Sequence, residues 1–264
     1  MTNPLEYVPA EVPGDCILKI SPSAFSHFID KPHRWYRQEI LKEDPFSHNT
    51  STVLGTIVHY CAEKVAKKES VRYHDIEEYI DMLEAHDDYC PTTVRANWEL
   101  MAEAVVNGYV MGLTDIHSVE SQVCRHIKDG IYAAGTYDLL RGPQHDALLA
   151  DYKSYNSKSK PKSIAYYYKY QLLVYAWILR EYDIAVNRIQ IIAVNRNIEG
   201  EISEKTGKRL KSYPPEATVM TEVITEEDIN FIESMLELCA DSYLATQKNP
   251  ELTHLIWHDP RLKV

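Results

Sequence analysis

The stretch Gly135-Thr136-Tyr137-Asp138-Leu139-Leu140, followed after a break by Leu148-Leu149-Ala150-Asp151-Tyr152-Lys153, sets the reading of the whole chain. Leu139, Leu140 and the run from Ala147 to Ala150 are apolar, as strands buried on both faces are. Between them Arg141-Gly142-Pro143-Gln144 has turn composition, so two strands meeting at a turn are predicted. Side chains alternate along a strand, which puts Asp151 and Lys153 on one face and Tyr152 on the other. Two carboxylates and an amine then converge at one end of a sheet. Such a group suits a divalent cation and an anionic substrate, with the Tyr152 carbonyl as a third oxygen. Taken alone, the pair is more simply an edge hairpin with solvated Asp and Lys.

Upstream, Val53 to Lys68 carries an apolar stripe (Val53, Ile57, Val58, Cys61, Ala62, Val65) at helical spacing. Gly55 and His59 are four apart and share a face, with Glu63 one turn on. A lone histidine there reads as a hydrogen-bonded structural residue. Downstream, Ala165 to Glu181 is predicted helical, and Gln171 and Tyr175 share a face. Ser118 to Arg125 is a predicted strand, entering near Glu120. Further strands are expected over Arg188–Asn195 and Thr218–Ile224, and Thr225-Glu226-Glu227-Asp228 caps a helix to about Thr246. Residues 1–16 read as an extended arm, Ser21 to Ile29 as a helix, and His33 to Gln38 as a short helical piece. Residues 43–52 read as a polar loop, and Ile76 to about Ala85 and Thr92 to about Leu113 as amphipathic helices. Asn156 to Ser163 is a Ser/Lys/Pro loop, and the tail with Trp257 packs back on the body. This order predicts an α/β (α+β) fold with a mixed central sheet flanked by helices. One domain over 1–264 is expected, with a helical portion at about 17–115, a core at about 116–246 and a tail at 247–264.

Composition is that of an ordinary globular chain, 45% hydrophobic and 25% charged. No apolar run approaches a membrane span, and the first residues lack signal-peptide character. Cysteines 16, 61, 90, 124 and 239 form no CxxC pair; reduced thiols in a cytoplasmic protein are expected, with no disulfide framework and no zinc site. The net charge of −11 argues against nucleic acid as partner. Its distribution argues otherwise: from Tyr152 to Arg180 there are lysines and no acid, and Lys31, His33, Arg34 and Arg37 form a second basic cluster. A basic cleft on an acidic body is consistent with both.

The set Gly55-x-x-x-His59, Gly135-x-x-Asp138, Asp151-x-Lys153 and Gln171-x-x-x-Tyr175, in that order on helix, strand, strand and helix, resembles the RecB-like branch of the PD-(D/E)XK nucleases. Ser21-Pro22-Ser23-Ala24-Phe25, with Pro32 and Trp35-Tyr36, looks like the segment that precedes the histidine helix in that branch. The resemblance spans residue 21 to about 180. It implies a restriction-endonuclease-like core and Mg²⁺, with Mn²⁺ as a substitute. Asp138, Asp151 and His59 would be metal ligands, and Lys153 would activate water. Gln171 and Tyr175 would line the site and contact DNA or order the metal-bound water. Glu120 matches a position often acidic in the group and reads equally as a surface strand residue. Asp151 stands where many relatives carry Glu. Only Cys239 lies near the C-terminus, so the iron–sulfur cluster of some relatives is not expected. Gly200 to Lys208 has the wrong spacing for a phosphate loop.

A stand-alone member of this kind is similar to recombination exonucleases of the RecE kind. The implied activity is metal-dependent degradation of DNA from an end, in recombination, repair or replication of phage or bacterial DNA. A single-strand annealing protein would be a partner, and a homo-oligomer a form such relatives adopt. Lys158, Lys160, Lys162 and Arg34 would follow the DNA backbone. Trp35, Tyr36 or Tyr166 to Tyr168 would stack bases, although each tyrosine singly reads as packing. A structure-selective or restriction-type endonuclease, and a non-catalytic DNA- or protein-binding module, are the alternatives.

Overall fold

A computed structural model describes residue 5 and residues 10–43, 48–83, 89–155, 160–196, 206–208 and 214–258. The described chain opens with a short strand β1 (Leu18–Ile20), then α1 (Pro22–Asp30) and α2 (Pro32–Trp35), each started by proline, whose missing N–H costs nothing in a first turn. A π-helical turn, Tyr36–Ile40, continues α2. Helices α3 (Thr50–Ala66), α4 (Tyr73–Met82) and α5 (Pro91–Gly108) follow. The sheet strands are then β2 (Ile116–Lys128), β3 (Ile131–Arg141) and β4 (Ala147–Tyr155). Helix α6 (Tyr166–Leu179), β5 (Val186–Asn195), β6 (Ala217–Val223), α7 (Glu226–Lys248) and α8 (Thr253–Ile256) complete the order.

Helix α3 begins at Thr50, inside the expected loop. Asn49 accepts from the Ser51 and Thr52 N–H groups, while Thr52 Oγ1 accepts from the Asn49 N–H, a reciprocal cap that extends the helix upstream of its apolar stripe. Thr225 and Asp228 cap α7 in the same way, as the sequence predicts.

Among the described residues the sheet has six strands in the order β1-β3-β4-β5-β6, with β2 also on β3. It is mixed: β1 and β3 run parallel, as do β4 and β5, and the other pairs are antiparallel. One face packs on α1, α6 and α7 through residues such as Phe25, Leu149, Leu173, Ile191 and Leu236. The other packs on α3, α4 and α5 through Ile57, Ile76, Met101, Tyr152 and Ile192. The predicted alternation along β4 holds, since Leu149 and Tyr152 lie in opposite cores. The tail packs back, with Trp257 stacked on Tyr36 at 4.9 Å and beside Trp35 and Phe28. Trp35 is therefore fully buried, and it corrects the expectation of a base-stacking ring there.

Candidate active site

The site lies where β3 loses its neighbours. Its pairing with β4 covers only Leu139–Arg141 against Leu148–Ala150, and its pairing with β1 only Ile131–Ala133. Between the two, Gly135 to Asp138 has β2 on one side and no strand on the other. Continuing the register would set Asp138 opposite Asp151, but here the strands fork. The Asp138 carboxylate fills the fork: its Oδ2 accepts the Tyr152 N–H at 2.8 Å, replacing a ladder carbonyl. The Thr136 carbonyl accepts the Tyr175 hydroxyl at 2.6 Å. That approach needs Gly135, because a Cβ there would lie 2.6 Å from Tyr175 Oη and 3.0 Å from Pro22 Cδ.

On the α3 side, His59 Nε2 lies 2.7 Å from the Tyr152 carbonyl and Nδ1 lies 3.2 Å from Asp138 Oδ2. Both ring nitrogens face acceptors, so the imidazolium satisfies both. Burial disfavours that cation, but the charge and hydrogen bond of Asp138 outweigh it and lift His59 to about 9. Asp138 in turn is held below the usual range, against burial, chiefly by His59.

Glu120 joins them from β2. Its register places it opposite Asp138, and His59, Glu120 and Asp138 each offer a ligand atom within 4.8 Å of the others. Its φ of 47° is rare for a residue with a side chain inside a strand, and such strain gathers at functional sites. Burial and the adjacent Asp138 charge push Glu120 up to about 8. Anions crowded in this way favour a cation.

Asp151 and Lys153 lie on the α6 face. Lys153 Nζ sits 2.9 Å from Asp151 Oδ1 and 2.7 Å from Oδ2, and Gln171 Nε2 donates to Oδ1 at 3.0 Å. Burial pushes Asp151 up to about 6 against the pull of Lys153. Lys153 is held above its ordinary value: burial opposes its charge, but Asp151 and Asp138 overcome that. The ammonium is therefore fixed as a cation.

These groups share one cleft of about 840 Å³, whose α3 wall carries Ser51, Thr52, Gly55, Thr56, His59 and Glu63. Among the described residues a Cβ at Gly55 would meet only Ser154 Oγ, at 3.9 Å, so their packing does not explain that glycine. Thr136, which the sequence reading passed over, lines the cleft two residues from Asp138. Its buried Oγ1 has no hydrogen-bond partner among the described residues. The structure thus gathers His59, Asp138, Asp151, Lys153, Gln171 and Tyr175, and adds Glu120. It does not bring Arg34, Lys160 or Lys162 into the cleft lining: all three are exposed, and Lys160 pairs with Glu216 at 2.6 Å. Lys158 lies outside the described residues.

The donor set is carboxylate oxygen with one imidazole, and its neighbour Tyr152 adds a carbonyl. That chemistry fits Mg²⁺ or Mn²⁺. One solved structure shares the architecture. A protein of Eubacterium rectale, named as a candidate exonuclease, superposes with a TM-score of 0.52 at 12% identity, over 93% of this chain and 90% of its own. A phage-related exonuclease from Haemophilus somnus matches at 12% identity with a TM-score of 0.42, over 87% and 96% of the two chains. An alkaline exonuclease from Laribacter hongkongensis matches at 11% identity with a TM-score of 0.35, over 74% and 92%. A search of curated proteins finds no match. The family profile of the PD-(D/E)XK nuclease superfamily matches residues 19–248, which takes in β2 to β6 and all the motif residues, and the chain belongs to that superfamily.

Proposed function

We propose that the chain is a divalent-metal-dependent deoxyribonuclease that removes nucleotides from DNA ends, with Mg²⁺ as the ion and Mn²⁺ as a substitute. The observation that carries this reading is the meeting, at one strand fork, of the His59–Glu120–Asp138 donor group with the Asp151–Lys153 pair. His59, Glu120 and Asp138 would hold the ion, with Asp151 and the Tyr152 carbonyl beside them. When bound, the ion supplies Lewis-acid stabilisation of the charge that gathers on phosphorus.

The other residues have separable tasks. Lys153, fixed as a cation, orients the attacking water by donating to it and offsets charge on the non-bridging oxygens. Gln171 pins one oxygen of Asp151 and so fixes the direction of the carboxylate. Tyr175 holds the Thr136 carbonyl and with it the part of β3 that has a strand on one side alone. The Ser51 hydroxyl on the α3 wall is a donor for a phosphate backbone, whereas the Thr52 and Thr56 hydroxyls donate to the Asn49 and Thr52 carbonyls.

The end-directed reading and a place in recombination or repair, with an annealing protein and a homo-oligomer, follow from the likeness to stand-alone recombination exonucleases. The test is incubation of the chain with end-labelled linear, closed circular and single-stranded DNA, with Mg²⁺ or Mn²⁺. Release of label from linear DNA and an intact circle are expected. A cut circle would replace the exonuclease with an endonuclease, and no product from any substrate with either ion would overturn the nuclease reading.

A further inference from the structure

We propose that the substrate strand reaches Lys153 unpaired, over a track of aromatic rings that leads out of the cleft along the start of α6. This rests on the nuclease reading above and names the form of DNA that the site accepts. The track begins inside the site. Lys153 Nζ lies 5.2 Å from the centroid of the Tyr168 ring, and Tyr168 lines the cleft. Outward from it, Tyr167 meets Tyr168 at 4.2 Å between centroids, Tyr166 meets Tyr167 at 5.5 Å, Tyr166 meets Tyr170 at 6.0 Å, and Tyr170 meets Phe231 at 5.9 Å.

Exposure separates these rings from ordinary packing. Tyr166 is 52% exposed, Tyr167 42% and Phe231 43%. Scattered exposed aromatics need no explanation, whereas a run of rings in mutual contact that continues into a cleft does. Charge selects the occupant. The sequence from Tyr152 to Arg180 carries lysines and no acid. The acids that approach it are matched: Asp30, which meets the Tyr166 hydroxyl, lies 3.2 Å from Lys31. Glu216 pairs with Lys160, and Asp228 and Glu222 with Lys169. Among the described residues, the acids met along the Tyr168, Tyr167 and Tyr166 part of this path are therefore compensated, while Glu227 stands exposed one turn before Phe231 at its far end; Lys162 is exposed.

Among anionic polymers, one with free π faces fits. A base stacks on an aromatic ring whatever its identity. In a duplex the base faces are already stacked on one another, and only the last pair shows one. An unpaired strand offers a face at each nucleotide.

The experiment measures binding by fluorescence anisotropy in the full chain carrying Asp151→Asn, so that cleavage does not intervene. The probes are a labelled single strand, the same strand with abasic sites, and a flush duplex, all at one salt concentration. The single strand should bind at least about tenfold tighter than the duplex, and Tyr166→Ala with Tyr167→Ala should remove about tenfold or more of that affinity. Tyr166→Phe with Tyr167→Phe should retain it, because the ring and not the hydroxyl stacks. The abasic strand should bind the tyrosine parent no better than the intact strand binds the alanine variant. Single-strand affinity within about twofold of the parent after the alanine changes, or an equal loss on the duplex, would overturn the track. Absence of hydrolysis by the unaltered chain would instead strike the nuclease reading, and the binding measurement would still decide the track.

Discussion

Lys153 and Glu120 show how much a single side chain carries here. Lys153 bridges both oxygens of Asp151 and is fixed as a cation, so Lys153→Ala should lower hydrolysis by about 10² or more, the usual cost of removing a preorganised donor. The melting midpoint should fall as well, because the buried Asp151 carboxylate loses the charge that offsets its burial, so activity is compared well below that midpoint. Activity within a few-fold of the parent, read with end-labelled DNA, would remove Lys153 from the mechanism. Glu120→Gln differs in kind. It relieves crowding beside Asp138 and removes one donor, so the metal concentration for half-maximal activity should rise about 10- to 100-fold. A metal titration of both proteins decides it, and an unchanged half-point would leave Glu120 a strained structural residue. Asp138, Asp151 and Lys153 were readable because each belongs to a local motif. Glu120 was legible only as a match to a position often acidic in the family, because its partner is across a strand. Asp129-Gly130 is a hairpin turn, and counting from its Lys128↔Ile131 pair would set Glu120 opposite Leu139. The irregularity between His126 and Lys128 moves the register by one and sets it opposite Asp138. Nothing local in the sequence announces that bulge. Trp35 misled for the opposite reason: an aromatic beside basic residues looks like a binding ring until the distant Trp257 is seen covering it.

At the scale of elements, the site exists because β3 and β4 separate after three paired residues each and α6 replaces the missing strand. The joint between α6 and β3 is Tyr175 on the Thr136 carbonyl, admitted by Gly135. Gly135→Ala should therefore destabilise the fold by about 1–3 kcal/mol through overpacking, measured by urea unfolding. Adding Tyr175→Phe removes the oxygen nearest the new methyl, so the double variant should lose less than the two single losses combined. Strict additivity would mean that the two residues do not meet. The helices were legible from their caps and stripes, and β4, β5 and β6 from apolar or alternating runs. Strand β1, three residues long, was too short to show a pattern, and the fork was hidden because both strands read as continuous. What marks the fork in sequence is polar residues, Thr136, Asp138 and Asp151, in otherwise apolar strands; propensity alone gives them no partner.

For the whole molecule, the net charge of −11 and the cleft must be considered together. The body is acidic, yet the stretch from Tyr152 to Arg180 carries lysines and no acid, so DNA binding and overall charge do not conflict. The same excess of acid bears on the folded state. Folding brings Glu120 and Asp138 together with His59 as their nearest offset and Lys67 and Lys153 farther off, and burial with the Asp138 charge pushes Glu120 up to about 8. The unfolded chain keeps these acids apart in water, so it holds a divalent ion far less well. An ion that binds the folded group must then stabilise the fold, by about 2.7 kcal/mol when present at a hundred times its dissociation constant. The melting midpoint of the unaltered chain should rise on titration with Mg²⁺ or Mn²⁺ and fall back on addition of EDTA. Asp138→Asn is the control: its side-chain oxygen still accepts the Tyr152 N–H, so the fork persists, but the central charge of the donor group is gone. Its midpoint should not respond to either ion. A parent midpoint indifferent to both ions, or an Asp138→Asn midpoint that rises as far as the parent's, would show that the ion does not bind at the fork.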